Sequence, residues 1–550
     1  MKPNNKFKRG NDSHGNFSKG HSSSSSQSYP TKSYLGAPKD SLSEIIKLKD
    51  GDYFKGNVKI LRKTQPGPII FIVSDGYANA DAVTKDSQFK EGDIVLLEGY
   101  AKERAGKLQI EIERLARSDF DFEKIIDKNS EPKLRTFSIK SERYEKLKPY
   151  FMRLAKRIRR AVLENQPILI RHHADSDGIN AGIAIEKSCG ILMEKLGINP
   201  KYNLFRSPSK APFYEITDVL RDIVLTKRLL ETHGQKKPLI FVLDNGSTPE
   251  DVFGLTTLKS LGFEVIVLDH HNPVIIKDKK TAVDPYLSMH LNPYIEGLDS
   301  KTSAGMMAYE LARFICEDYS NPALPAVAGI SDRCDIQETE DYVKNSGRTR
   351  EELEKIGVAI DFIAYNLKFD SGETIFEELY NNSEFVSVIA EQVKKGVETQ
   401  LQSTLPYLRT QEIEGVVFSY IDLEKYTLRF TYPAPGKVIG LIHDTVCSAN
   451  EGKPVISLGC LSEMVIVRAS KPVLPVDKII KKLKKDLPQA NVSGGGHECA
   501  GAIKFVSAHA SDILENIKQQ VKDLDYLANS KDESDWLDTY QLQLLTKPIS

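Results

Sequence analysis

Hydrophobic and polar positions change their period several times along the chain. Between about residues 42 and 118, short runs alternate with a period of two and are separated by Gly and Asp turns: DYFKGNVKILRKT, PIIFIVSDGYANADAVT and GDIVLLEGYAKERAGKLQIEIERL. Such alternation, with no helical period of any length, predicts strands that close into a small barrel. A helical period takes over in KLKPYFMRLAKRIRRAVLE, where Phe151, Leu154, Ile158 and Val162 share one face. From Pro167 onward near-continuous apolar runs alternate with helical segments: PILIRHHADSDG, PLIFVLDNGS, FEVIVLDHH and later PALPAVAGISDRCD. Strands of a parallel sheet covered on both faces need such runs, so each of the four is read as a strand of an α/β domain. Charge-rich helical sequence from about Thr339 to Leu405 leads into a second, smaller α/β segment with VVFSYIDL, YTLRFTYP, VISLGCL, EMVIVRAS and GAIKFV. The expected organisation is a tail (1–41), a barrel (42–118), a linker and helix (119–164), a parallel-sheet α/β domain (165–338), a helical connector (339–405), a smaller α/β domain (406–528) and a second tail (529–550).

At 550 residues the chain is too long for one core, since domains usually run roughly 100 to 200 residues. Its 75 basic residues against 76 acidic ones give a net charge of -1, which excludes a uniformly basic coat and leaves nucleic-acid affinity to local patches. Two patches qualify. In the barrel, Tyr53, Phe54, Phe71 and Tyr77 lie among Lys55, Lys59, Arg62 and Lys63, although about half of these aromatics must fill the barrel itself. Between Lys146 and Arg160 there are seven basic residues and no acid, a helix face that would attract a polyanion unless it is paired elsewhere. The first 40 residues, rich in Ser, Asn, Gly and Lys with a run from Ser22 to Ser26, read as disordered. The last segment holds the only tryptophan, Trp536, either in a docked helix or in a partner-binding peptide. No run approaches the roughly 18 apolar residues of a membrane span and no secretory core opens the chain, so a cytoplasmic protein without membrane attachment is expected. Six cysteines without a C-x-x-C pair read as reduced thiols.

The chemistry lies in four clusters expected at the C-terminal ends of the apolar runs, the edge at which open α/β sheets place ligands. They are His172 to Gly178, Asp244 to Ser247, the triplet Asp269-His270-His271, and Ser331 to Asp335. Carboxylates and imidazoles converging on one crevice repel unless cations sit between them, and this donor set suits Mn2+ or Mg2+. Two such ions about 3.5 to 4 Å apart can activate a water for in-line displacement at phosphorus.

The HxDxDG of residues 173–178, the Asp after the second run, the D-H-H triplet and the later Asp together resemble the DHH phosphoesterase superfamily, and the GGGH at Gly494, Gly495, Gly496 and His497 is similar to the signature of its associated C-terminal domain. With a nucleic-acid-type OB barrel in front, the arrangement looks most like the archaeal RecJ-like exonucleases. The resemblance implies that His173 and Asp175 bind one metal, Asp177 the other, that Asp244 bridges both, and that His270 and Asp332 complete the second site, with Asp332 preferred over Asp335. Asp269 and His271 are implied to orient ligands or contact the substrate phosphate, and His172 is the less secure of its pair. Across the cleft, Arg468, Gly494, Gly495, Gly496 and His497 would hold a terminal phosphate, with Lys478, Lys481, Lys482, Lys484 and Lys485 extending a track or forming a soluble face. The implied function is two-metal hydrolysis of single-stranded DNA or RNA. The alternatives are a phosphodiesterase of oligoribonucleotides or cyclic dinucleotides, and a replication scaffold; the GINS complex is the implied protein partner.

Overall fold

Period-two alternation near the N-terminus becomes five strands: β1 (Tyr53–Thr64), β2 (Ile69–Ser74), β3 (Asn79–Thr84), β4 (Ile94–Arg104) and β5 (Lys107–Arg117). The computed structural model describes residues 42–524 apart from 65, 66, 210, 212, 369, 373, 429, 430, 472, 473 and 498, with His497 by its backbone alone. Both predicted tails, including Trp536, lie outside the described residues. The strands pair in the order β1-β2-β3-β5-β4 and close on themselves, with β3 parallel to β5, as in an OB barrel. Phe54, Val58, Phe71, Val73, Val95 and Leu97 fill the interior and are fully buried. Half of the four candidate aromatics are therefore core; Tyr53 donates to Glu98 at 3.0 Å, and Tyr77 is 44% exposed.

Residues 119–140 are more than a linker. Helix α1 (Phe122–Ser130), N-capped by Asp121, packs Phe122 and Ile126 against Leu163. Helix α2 (Glu142–Leu163) buries Phe151, Leu154, Ile158 and Val162 as its periodicity requires. Its basic face differs from the free wall that the sequence suggested. Arg157 grips Glu264 at 2.7 Å, Lys156 meets Asp127 at 2.8 Å and Glu131 at 2.7 Å, and Arg160 pairs with Glu123 and Glu164. Arg159 is buried and donates to the Ile315 carbonyl at 2.6 Å. These cations fasten α2 to its neighbours, and acids from distant segments consume most of the expected field.

The parallel-sheet domain is built from β6 (Ile168–His173), α3 (Ser176–Lys195), β7 (Leu204–Ser209), α4 (Ile216–His233), β8 (Leu239–Leu243), α5 (Val252–Ser260) and β9 (Glu264–Leu268), then a small hairpin of β10 (Ile275–Lys277) and β11 (Lys280–Thr281), and β12 (Met289–Leu291). A parallel sheet runs β12-β9-β8-β6-β7. Alternate residues enter different cores: Leu239, Phe241 and Leu243 of β8 join α2 and α3, while Ile240 and Val242 pack on α4 and α5. Covering both faces explains the continuous apolar runs.

The fourth apolar run is a helix, not a strand. Helices α6 (Ala304–Ile315) and α7 (Ala323–Ser331) pack so closely that a Cβ on Gly305 would lie 2.6 Å from that of Ala328. A short helix buried on all sides has the same uninterrupted apolar pattern as a buried strand, and periodicity does not separate them. Asp332 consequently caps the C-terminal end of α7 rather than ending a strand.

Helices α8 (Gln337–Ser346), α9 (Arg350–Leu367), α10 (Ile375–Glu378) and α11 (Ser383–Thr404) form the connector. The last domain contains β13 (Arg409–Ile413), β14 (Val416–Asp422), α12 (Leu423–Tyr426), α13 (Pro435–Ala449), β15 (Val455–Leu461), β16 (Met464–Ala469), α14 (Val476–Asp486), β17 (Ser493–His497), β18 (Ala500–Lys504) and α15 (Ala510–Lys522). Its mixed sheet runs β13-β14-β15-β16-β18-β17. Among the described residues no helix is long and apolar enough to cross a membrane.

Phe241 is fully buried at the centre of the parallel sheet. Phe241→Ala is expected to lower the unfolding free energy of this domain by about 3 to 5 kcal/mol, read from urea unfolding, because the surrounding sheet cannot collapse into the void.

Candidate metal centre

Three strand ends and two helix termini bring the clusters together. Asp175 follows β6 and N-caps α3, accepting from the Gly178 N–H at 3.0 Å. A Cβ on Gly178 would lie 2.4 Å from the His173 carbonyl oxygen, so the turn that presents Asp175 and Asp177 admits only glycine there. Asp177 points into the start of α6, where Ser303 Oγ, the Ala304 N–H and the Gly305 N–H donate to it at 2.6, 2.9 and 3.0 Å. Asp244 directly follows β8 with φ of +55°, a strained backbone that aims its carboxylate between the other groups.

Asp269, directly after β9, is saturated. Its oxygens accept from the N–H groups of His270 at 2.7 Å, His271 at 3.2 Å and Ser247 at 3.2 Å, and from His271 Nδ1 at 2.7 Å. It therefore orients the His271 ring. His270 Nδ1 faces the Ser300 carbonyl at 2.8 Å and must donate to it, which turns Nε2 to the carboxylates, 3.2 Å from Asp244 Oδ1 and 3.8 Å from Asp177 Oδ2, as the nitrogen placed to ligate. Asp332 Oδ2 lies 3.7 Å from His270 Nδ1, whereas Asp335 is exposed.

Successive residues of a strand face opposite ways, which separates the two adjacent histidines. His173 Nδ1 lies 2.8 Å from Asp175 Oδ2 and 3.5 Å from Asp244 Oδ2. His172 turns to the other side, against Gly182, with Nδ1 on the His173 carbonyl at 2.6 Å. Burial, and then the nearby Arg206 guanidinium, push its pKa down to about 3.

Two groups have candidate ligand atoms within 4.8 Å of one another: His173, Asp175 and Asp244, and Asp244, His270 and His271. Asp244 belongs to both. Within them, His173 Nδ1 and Asp244 Oδ1 are buried and face only other members of these groups, at 2.8 Å from Asp175 and 3.2 Å from His270, in contacts not aligned as hydrogen bonds, an arrangement that suits convergence on a cation. Burial, with the charge of Asp244 next and His270 opposing, pushes the Asp177 carboxyl well above the usual range. Burial, opposed by His270 and reinforced by Asp244 and Asp175, moves Asp332 up to about 6. The imidazoles thus leave negative charge uncompensated, and oxygen plus imidazole donors fit a hard or borderline divalent ion. His271 sits within the second group as well as on Asp269, a placement that the motif did not convey.

On the facing domain, Arg468 of β16 is half-buried, donating to the Val467 carbonyl at 3.1 Å and the Gly436 carbonyl at 3.4 Å. Burial and then the neighbouring Arg333 lower its pKa, so two guanidiniums crowd one place. Arg333, next to Asp332, escaped the sequence reading; its bidentate pair with Asp444 of α13, at 2.9 and 3.1 Å, ties the two domains at the cleft. The run Gly494 to Gly496 is an edge strand rather than a loop: Gly494 and Gly496 have φ of +151° and +147°, and a Cβ on either would meet a β18 carbonyl oxygen at 2.1 or 2.3 Å. Gly495 faces the Glu250 carboxylate, six residues past Asp244, so this strand lies against the segment that follows β8. His497 pairs with Ala500 through its backbone. Lys478, Lys481, Lys484 and Lys485 of α14 are exposed, and Lys482 pairs with Asp486 at 3.2 Å. Another unforeseen residue is Asn292, whose amide donates to the His271 carbonyl at 2.9 Å and Ser247 Oγ at 3.0 Å, bracing both loops.

The model of the DHH family, N-terminal domain, matches residues 167–330. An uncharacterized protein of Methanocaldococcus jannaschii is 36% identical over 542 residues, covering 89% of this chain and 71% of that protein. Among solved structures, the DHH domain of a protein described as a member of a family of ribosomal proteins is similar with a TM-score of 0.70 and 36% identity, over 73% of this chain and 96% of that one. A RecJ from Thermus thermophilus in complex with Mn2+ is similar at a TM-score of 0.45 and 16% identity, over 68% of this chain and 54% of that one.

His172 supplies a pH prediction. Between pH about 6.5 and about 3 the unfolded chain binds a proton at His172 that the folded chain refuses, so stability falls as pH falls through that window. His172→Asn should make the fall in melting temperature over this interval shallower; an unchanged profile would contradict the burial argument.

Proposed function

We propose that this chain, which belongs to the DHH phosphoesterase superfamily, is a divalent-metal-dependent exonuclease that hydrolyses terminal phosphodiester bonds of single-stranded DNA or RNA. One observation carries the reading: two groups of candidate ligand atoms share a buried carboxylate, Asp244. His173 and Asp175 would hold one ion, Asp177, His270 and Asp332 the other, and Asp244 both. When bound, two Mn2+ or Mg2+ ions supply Lewis acidity that activates a water and neutralises charge at the phosphate.

The chain's own residues do the rest. Asp269 locks His271 through Nδ1, leaving it either to ligate or to meet the substrate phosphate. Ser300 fixes the tautomer of His270, and the start of α6 keeps Asp177 in place. Arg333 is close enough to disfavour the charge of Arg468, a repulsion that a substrate phosphate between them would relieve. The glycines 494 to 496 and His497, overhanging Glu250, would close on the terminal phosphate from above. A barrel of the type that binds single strands favours a polymer over a dinucleotide. Retention of every ligand position favours catalysis over a scaffold role; association with the GINS complex is a separate reading, tested by co-purification.

End-labelled single-stranded DNA and RNA, and a dinucleotide, incubated with Mn2+, Mg2+ or chelator, test the proposal. Stepwise, metal-dependent shortening of the strands is expected. Asp244→Asn, which tolerates the left-handed backbone, should lower the rate about a thousandfold with an unchanged melting curve, the loss of several kcal/mol of charge stabilisation. Near-normal turnover in that variant would sink the assignment, and cleavage of the dinucleotide alone would point to the small-substrate reading.

A further inference from the structure

The barrel docks on the catalytic domain through a close backbone contact. The Asn79 N–H donates to the Leu196 carbonyl at 2.8 Å, and Gly197, with φ of +74°, approaches so near that a Cβ would lie 2.7 Å from the Asn79 oxygen. Beside this contact the two domains enclose a crevice of about 730 Å³. One wall is the barrel face, with Arg62, Asn79 and Lys107; the other carries Lys201, Arg228 and Gln235. Asn165, Asn203 and Gln235, which precede β6, β7 and β8, line it, whereas Asp175 and Asp244 follow β6 and β8. Crevice and metal centre therefore lie at opposite ends of the same strands, about 20 Å apart at about 3.3 Å per residue.

Five basic residues, Arg62, Lys63, Lys107, Lys201 and Arg228, line the crevice against two acids, Asp81 and Glu231. In contrast to the cations of α2, Arg62, Lys107, Lys201 and Arg228 form no ion pair among the described residues. The floor holds unsatisfied amides. Asn79, 8% exposed, has Nδ2 unpaired, and Gln235, 7% exposed, donates to the Tyr202 carbonyl but has Oε1 unpaired. A buried donor and a buried acceptor without partners are costly unless something binds them. The exposed ring of Tyr202 and the half-buried ring of Phe205 flank the same space. Thr64 and Lys107, at the mouths of the β1–β2 and β4–β5 loops, open on it, and these are the elements with which OB barrels hold single strands. A nucleotide answers every part of this set: phosphate for the cations, a base edge for the amides and a base face for the rings.

We propose that this interdomain crevice is a second nucleic-acid contact, which holds nucleotides of a single strand about 20 Å from the metal centre. It rests on the proposed strand hydrolysis only for the identity of that strand as substrate. A stacked strand advances about 3.4 Å per nucleotide, so a strand that follows the surface of the domain needs more than about six nucleotides to link the two places. Affinity should therefore step up with length once a strand spans both.

The test is fluorescence anisotropy of labelled single strands of 4 to about 20 nucleotides with full-length protein in chelator, where nothing is hydrolysed. Wild type is compared with the double variant Lys201→Glu, Arg228→Glu, whose exposed side chains can change without disturbing the fold, as a melting curve verifies. The variant should lose the length-dependent step, bind the longest strand about tenfold or more weakly, and show a salt slope shallower by about 1.4, two phosphate contacts at about 0.7 each. An unchanged affinity and slope would overturn the proposal. Variant-sensitive binding of a free mononucleotide with unchanged strand binding would overturn the strand assignment in favour of a small nucleotide ligand. Because no turnover is read, inactivity of the wild type would defeat the hydrolytic reading and leave this result standing.

Discussion

Mutual repulsion among Asp175, Asp177, Asp244 and Asp332 is the constraint around which the rest of the centre is arranged. Buried carboxylates at this density stay together only if each is held by donors or shares a cation. The structure uses both means. Asp177 takes three donors from the start of α6, and Asp269 takes four from its own loop and Ser247, so these two are pinned. Asp244 faces the ring nitrogens of His173 and His270 instead of backbone donors, and the left-handed backbone at this residue is strain spent on aiming it. Glycines at 178 and 305 are dictated by the same geometry, since a methyl group on either would strike the His173 carbonyl or the Asp177 carboxylate.

That arrangement is coupled to the placement of the C-terminal domain. Lys437 of α13 pairs with Asp361, whose other oxygen accepts from the Ser176 N–H at the start of α3, one residue before Asp177. Arg333, one residue after Asp332, reaches Asp444 of the same α13. Both clasps are ion pairs at partly exposed sites, of a kind that contributes little to stability and is weakened by salt. They set position more than they add strength, which suits the strand entry and product release that the proposed hydrolysis would require.

Charge placement follows a division of labour. On α2 the basic residues serve as fasteners, drawing acids from α1, from β9 and from the residue that caps α2. At the barrel crevice Arg62, Lys107, Lys201 and Arg228 form no ion pair among the described residues, next to amides with unsatisfied atoms. A density of Lys and Arg in sequence therefore did not locate the available positive field. The partner of Arg157 is 107 residues away, and no local pattern reports it.

Much of the centre was legible in the sequence because its ligands are local: short polar clusters follow apolar runs, and β6, β8 and β9 end where those runs end. The barrel was legible for a similar reason, since strand alternation and Gly turns are written residue by residue. Tertiary packing alone decided the remainder. Residues 323–331 form a helix because burial on all sides erases the distinction between periods, so Asp332 arrives from a helix end. The pleat of β6, not the motif, turns His173 to Asp244 and His172 away. Strand pairing made the triple glycine an edge strand of close backbone contacts, and docking of the barrel at Gly197 created a crevice whose walls come from residues 62–107 and 165–235. Local chemistry is carried by neighbours in the chain; which face it presents, and what it meets there, depends on contacts between segments that only the folded molecule brings together.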